Sequence, residues 1–390
     1  MTTMSRGQIL EAAKNGAAAY FDKQVELLRR MCAIDCGTGN VEGNAEIVEI
    51  VLEYLHEIGG LDIEVVEAPD LGKHVVARYL PENPKGKLVM CAHLDTVFKP
   101  GDAAAHPFRI DGDTCYGLGA VDCKGGVVMS STAFRIAKEA GMLPDLEIVL
   151  IYNCDEEIGS PSGRKLYERE AKGATAAFVC EAGRKENGLI TFRKGSMKAR
   201  IECFGKAAHS ALAYEEGASA VLELAHKMIK IEAMNDWEKK VFYNIANLEG
   251  GKNGVGTVAD YAACNVSLKP SSEAEMAEME ARFKALEGEG HIEGVTTKVT
   301  VITSFPVLER TPANVALYEK IRDIGAGFGF VLPEQSTPAA SDGNFLSHHG
   351  APTLDGFGPY VYKMHAVDES MRLSSLPERT MLTAAVIASL

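Results

Sequence analysis

Residues 88–95 read Leu88–Val89–Met90–Cys91–Ala92–His93–Leu94–Asp95: five apolar residues in a row, then an imidazole and a carboxylate. An unbroken apolar run of that length, bounded by polar residues, reads as a strand buried on both faces, the type found in parallel sheets. Similar runs occupy Val75 to Leu80, Leu146 to Tyr152 and Ala176 to Cys180. Helical apolar spacing fills 17–34 and 43–58, and again Gly125 to Ala140 and Ser162 to Ala171. Buried strands alternating with helices predict an α/β fold, a mostly parallel sheet flanked by helices.

Beyond Gly195 the order changes. Met197 to Phe204 reads as a strand, Ala218 to Ile231 as an amphipathic helix, and Val241 to Leu248 and Tyr261 to Leu268 as strands; Ser272 to Leu286 is helical and Thr296 to Ile302 a strand. That β-α-β-β-α-β order is ferredoxin-like. The expectation is therefore a catalytic domain over 1–194 and 305–390, interrupted by an inserted α+β domain over 195–304. A helix at Asn314 to Ala326 and an apolar run around Pro352 to Leu354 belong to the second part of the larger domain. A length of 390 residues suits two domains better than one core.

The balance of charge is −14, with no offsetting basic stripe, so a nucleic-acid partner is not expected. No apolar stretch approaches the ~20 residues that span a bilayer, and Met1 to Tyr20 has no uninterrupted apolar core of a signal peptide. The nine cysteines are scattered, without a C-x-x-C pair. They read as small buried residues of a cytoplasmic protein, not as a disulfide framework or a thiolate metal site. Any metal must then be held by histidines and carboxylates.

Sites in open α/β sheets form beyond the carboxyl ends of the strands, and here those ends are acidic. One run ends in His93 and Asp95, another in Asp155–Glu156–Glu157, a third in Glu181. Gly117–Leu118–Gly119–Ala120–Val121 delivers Asp122, and a Gly-rich stretch from Phe357 leads to His365. Each alone has an ordinary explanation: a hydrogen-bonded loop, a solvated acidic run, a helix cap. Gathered together, several carboxylates would repel one another and lose hydration unless a divalent cation resolved the conflict. Imidazole and carboxylate donors suit Zn²⁺, with Co²⁺ or Mn²⁺ as substitutes.

At these residues the sequence resembles the M20 metallopeptidases. The matching stretches are His93 to Phe98, Tyr116 to Gly126, Asp155 to Ser160, Glu181–Ala182–Gly183, Arg193–Lys194–Gly195 and Gly205 to Ser210. The resemblance implies two Zn²⁺ per subunit. His93 and Glu181 would bind one, Glu157 and His365 the other, and Asp122 would bridge both, leaving a water or hydroxide to bridge as nucleophile. Glu156 would be the general base and Asp95 the partner orienting the His93 imidazole. The peptide after the bridging residue, Asp122–Cys123, would be cis. His209 would reach the active site of a second subunit and stabilise an oxyanion, which implies a homodimer formed through the insertion. The implied reaction is amide hydrolysis of a small peptide or an N-acyl amino acid.

Two departures concern the substrate. The family's N-x-x-P is Gly256–Thr257–Val258–Ala259 here, and Phe305 stands where one carboxypeptidase of the family places a carboxylate-binding Arg. Lys269, Arg310, Lys194 or Arg193 are the candidate replacements. Other features read as structural. Gly325–Ala326–Gly327–Phe328–Gly329 follows a helix and lacks the acidic partner of a dinucleotide loop. His348–His349–Gly350 reads as a helix end. Gly125–Gly126 reads as close packing against the metal loop, and Ser341–Asp342–Gly343 as either a substrate loop or a helix cap. His226 and Trp237 read as packing or surface residues. Two competing classes remain to be weighed against hydrolysis: a non-catalytic metal-binding family member, and a nucleotide-dependent oxidoreductase on the same scaffold.

Overall fold

The computed structural model of the chain describes residues 4–238, 241–252, 254–288 and 290–390. Its main sheet has six strands in the order Asp62–Ala68, Gly72–Tyr79, Glu147–Asn153, Lys87–His93, Ala174–Val179, Thr353–Leu354. The last four run parallel, and Gly72–Tyr79, the inner strand of its hairpin with Asp62–Ala68, joins Glu147–Asn153 antiparallel. The two central strands are buried from end to end except at their first residue, as their continuous apolar sequence requires. The fold class is the α/β one that the sequence predicts.

Helix Gly125–Glu139 is nearly all buried and packs against Ser375–Ser389. Asn40 caps Val41–Ile58 through the amide of Gly43, and Thr311 with Pro312 opens Pro312–Ala326. The expected helix at 17–34 is in fact two, Arg6–Ala19 and Phe21–Cys32, turning at Tyr20. Asp62–Ala68 escaped the sequence reading because it is a mostly exposed edge strand without an apolar run. The Gly325–Gly329 stretch closes Pro312–Ala326, and Gly350, at φ 91°, follows the helix ending at His348.

By contact density the chain forms two compact units. The first runs to Phe192 and resumes over Arg310–Ser336 and Ser341–Leu390; the second comprises Arg193–Glu309 and Thr337–Ala340. The second unit is built on an antiparallel sheet in the order Tyr243–Gly250, Tyr261–Leu268, Ser196–Phe204, Thr296–Phe305. Helices Ala220–Glu232 and Glu273–Ala285, capped by Ser219 and Ser272, complete the β-α-β-β-α-β order. Its core gathers Met197, Ile201, Leu224, Val266 and Phe283. A fully buried ion pair, Lys227 Nζ to Glu223 Oε1 at 3.1 Å, sits in the first of these helices. Among the described residues no helix is long and apolar enough to cross a membrane.

Candidate metal centre

Three parallel strands end side by side, and their ends carry His93, the Asp155–Glu157 turn and Glu181. Asp122 arrives on a wide turn, Ala120–Lys124, whose torsions leave the helical range at Asp122 and Cys123; the Asp122–Cys123 peptide is cis. His365 follows strand Val361–Lys363 in a small sheet that also holds Thr114–Tyr116, the strand leading into the Asp122 turn. These five residues, far apart in sequence, meet in space.

Asp122 lies between the two imidazoles. Its Oδ1 is 3.0 Å from His93 Nε2 and its Oδ2 is 2.8 Å from His365 Nε2. Glu181 Oε1 stands 3.5 Å from His93 Nε2, and Glu157 Oε2 stands 3.7 Å from His365 Nε2. Donors about 2.0–2.1 Å from one tetrahedral zinc lie about 3.3 Å apart, so these four separations fall on either side of the expected edge. Among the described residues two groups of donors are close enough to share an ion: His93, Asp122 and Glu157, and His93, Cys123 and Glu181. The Cys123 thiol donates to the Cys180 carbonyl at 3.1 Å, and burial with the neighbouring Glu181 pushes its pKa well up, which keeps it a thiol.

The electrostatics fit a cation pair. His93 Nδ1 lies 2.9 Å from the main-chain carbonyl of Asp95, which can only accept, so Nδ1 carries the proton and Nε2 faces the acids. Burial alone would lower the His93 pKa, but the Asp122 and Asp95 carboxylates raise it well above the usual value. Burial would raise Asp122; the imidazoles of His365 and His93 override it and hold that carboxyl well below the usual range. Hydrogen bonding to Asp122 lifts His365 to about 9. Burial, then the Glu181 charge, pushes Glu156 well up, and burial with Asp122 and Asp95 takes Glu157 to about 7. The cluster thus holds protons that bound divalent cations would displace.

The supporting residues differ in part from expectation. The Asp95 carboxylate is 3.4 Å from His93 Nδ1, farther than its own carbonyl. It instead accepts the amides of Glu156 and Glu157, each at 3.2 Å, and the Thr38 hydroxyl at 2.6 Å. So Asp95 fixes the Glu156–Glu157 turn as well as the imidazole. Asp155 caps the next turn through Ser162 and Gly163. Asp342 makes no helix-cap bond; it accepts from Ser160, at the end of the Glu156 turn, and from Tyr167 at 2.7 Å. Glu369 was not singled out from the sequence. Buried, it accepts the amides of Val121 at 2.9 Å and Asp122 at 3.2 Å and so anchors the Asp122 turn. Its one sequence signal is an acid four residues past His365.

Within the second unit, His209 is exposed and its Nδ1 accepts the amides of Ala211 and Leu212, both at 3.2 Å. Its proton is therefore on Nε2, a donor turned away from its own backbone. Gly256 and Thr257 lie alongside, with Ser210 donating to the Gly256 carbonyl at 2.9 Å. Of the candidate carboxylate-binding cations, Arg310 donates from Nε and Nη2 to the two Glu334 carboxylate oxygens, Arg193 is buried and donates to the Ala339 carbonyl, and Lys269 donates to Ser196.

The model of peptidase family M20/M25/M40 matches residues 89–389. The chain belongs to this family. Family membership makes it a metal-dependent peptidase or amidohydrolase. This M20 chain is 27% identical to carboxypeptidase G2 of Pseudomonas sp. strain RS-16 over 382 residues, covering 94% of this chain and 89% of that one. Its fold matches aminopeptidase PepT from Bacillus cereus with a TM-score of 0.75 at 21% identity, over 94% of this chain and 98% of that one. It also matches YXEP of Bacillus subtilis, described as a dinuclear metal-binding peptidase of the M20 family, with a TM-score of 0.68 at 13% identity over 95% and 98% of the two chains.

Proposed function

We propose that this M20 chain is a two-zinc hydrolase that cleaves the amide bond of a peptide or an N-acyl amino acid, in the manner of a carboxypeptidase or deacylase. The observation that carries the reading is the placement of the Asp122 oxygens, one toward each imidazole. His93, Asp122 and Glu181 would hold one cation, and Asp122, Glu157 and His365 the other, with Co²⁺ or Mn²⁺ as possible replacements. Such a pair, when bound, polarises a substrate carbonyl and acidifies a water beside it.

The chain's own residues supply the rest. Glu156 takes the proton of the attacking water and passes it to the leaving nitrogen. Asp95 and Thr38 hold the turn that presents Glu156 and Glu157. His209, its proton on Nε2, donates to the oxyanion in the active site of a second copy, and the inserted domain forms the dimer. The nine cysteines are all buried and free, which supports a reducing, cytoplasmic setting.

The test compares metal content and amide hydrolysis of the wild type and Glu156→Ala. Two cations per chain are expected in both, with activity lowered ~10²–10⁴-fold in the variant. Full activity of Glu156→Ala would remove it as the base.

A further inference from the structure

Beside Glu157, within the first unit, a groove of about 720 Å³ runs between segment 37–40 and segment 96–100. We propose that this groove is the specificity subsite of the hydrolase, receiving a large apolar side chain of the substrate, with Lys99 at its rim pairing the substrate's free carboxylate. The assignment rests on the hydrolase reading above and adds to it the substrate class.

Four observations support it. The groove shares the Glu157 wall with the metal centre, so a molecule seated at the cations extends into it. Val97 and Ile158 line it and are each 46% exposed, an apolar pair left to water beside a polar centre. Lys99 is exposed on the same lining, and the only other charged wall is Glu157, already engaged at the metal centre. The walls are also built rigid. Thr38 donates to the Thr96 carbonyl at 3.1 Å, and Thr96 to that of Cys36 at 3.0 Å. Gly37 packs so close that a Cβ there would lie 2.1 Å from the Phe98 carbonyl oxygen.

The groove is moreover coupled to the chemistry. Thr38, one of its walls, donates to the Asp95 carboxylate, whose two oxygens take the amides of Glu156 and Glu157. A side chain filling the groove therefore presses on a wall tied to the turn that carries the base.

The experiment uses the zinc-loaded full chain and a panel of N-acetyl amino acids and dipeptides, in which leucine or phenylalanine replaces glycine on either side of the scissile bond, each with a free or an amidated carboxyl end. The wild type should favour the large apolar member ~10–200-fold in kcat/KM over its glycine counterpart. In Val97→Ser/Ile158→Ser the ratio of kcat/KM for the large apolar member to that for its glycine counterpart should shrink at least tenfold. Lys99→Gln should raise KM for free-carboxyl substrates about tenfold and leave amidated ones unaffected. Dissociation constants of the released apolar amino acids, measured by calorimetry, should shift in parallel with KM, a readout independent of turnover. Hydrolysis with undiminished preference in the double variant would overturn the groove assignment alone. No hydrolysis of any panel member by the zinc-loaded wild type would overturn the hydrolase reading, and the groove assignment with it.

Discussion

Replacing Gly126 by Ala tests how the metal loop is held. The added Cβ would fall 2.0 Å from the Cys180 carbonyl oxygen and 2.9 Å from Cys123 Sγ, whereas Cβ atoms essentially never come within 3.0 Å of such neighbours. Backbone at Cys180 must therefore retreat by about 1 Å, and it has little room, because Cys180 donates its amide to the Cys91 carbonyl at 2.7 Å. Overpacking of this kind costs about 1–3 kcal/mol, offset by the roughly 0.5–1 kcal/mol that Ala gains over Gly in a helix. The net expectation is about 1–2 kcal/mol lost. The effect on the site should be larger than the effect on stability. Glu181 directly follows Cys180, and metal distances tolerate only about 0.2 Å, so zinc affinity at the His93–Glu181 position should fall ~10–100-fold. Urea unfolding and zinc competition with a chromophoric chelator measure the two quantities. Gly7→Ala is the control, since nothing lies within 4 Å of a Cβ there. Gly126→Ala with wild-type zinc affinity and wild-type stability would refute the argument.

Other outcomes follow from the same geometry. Asp95→Asn keeps the shape but turns a donor toward groups that themselves donate, so kcat should drop about 10–100-fold with both cations still bound; unchanged kcat would show that the clamp on Glu156 and Glu157 is idle. Zinc loading of the metal-free protein at pH 7 should release protons, because Glu157 near 7 and His365 near 9 hold them in its absence; calorimetry in buffers of different ionisation enthalpy would expose a proton-neutral reaction. In the second unit, burial would raise the Glu223 pKa, but the amides of His291 and Ile292 and the Lys227 ammonium lower it below 4.5. Its stabilisation is therefore complete above about pH 4.5 and fades as pH falls through the folded value. Glu223→Gln should cost about 3 kcal/mol at pH 7 by leaving Lys227 without its buried counter-charge, and the gap to wild type should close in acid; a gap independent of pH would contradict the pairing.

The α/β sheet was legible because burial on both faces forces continuous apolar runs, and His93, Glu157 and Glu181 were legible because they follow such runs, whereas Asp122 comes on a Gly-rich turn. His365 was reached through a Gly-rich approach and a family resemblance, not through a strand end. What escaped were contacts made across the chain by groups with no local signature. Glu369 meets the Asp122 turn 247 residues away, and Asp342 meets Ser160 at a separation of 182. Asp95 was assigned to the imidazole through the family resemblance; that its main-chain carbonyl does this while its carboxylate serves two amides depends on the turn's path. The edge strand Asp62–Ala68 was invisible because solvent on one side removes the demand for apolar residues.

The order of donors along the chain has a consequence for biosynthesis. A ribosome releases His93, Asp122, Glu157 and Glu181 before it begins the second unit, and His365 only after that unit is complete. The strand Thr353–Leu354, which pairs with Ala174–Val179, is likewise made late. A nascent chain can thus present His93, Asp122 and Glu181 together early but lacks the second imidazole until the second unit has been made. An emerging polypeptide of this kind would be no hazard to the peptides around it.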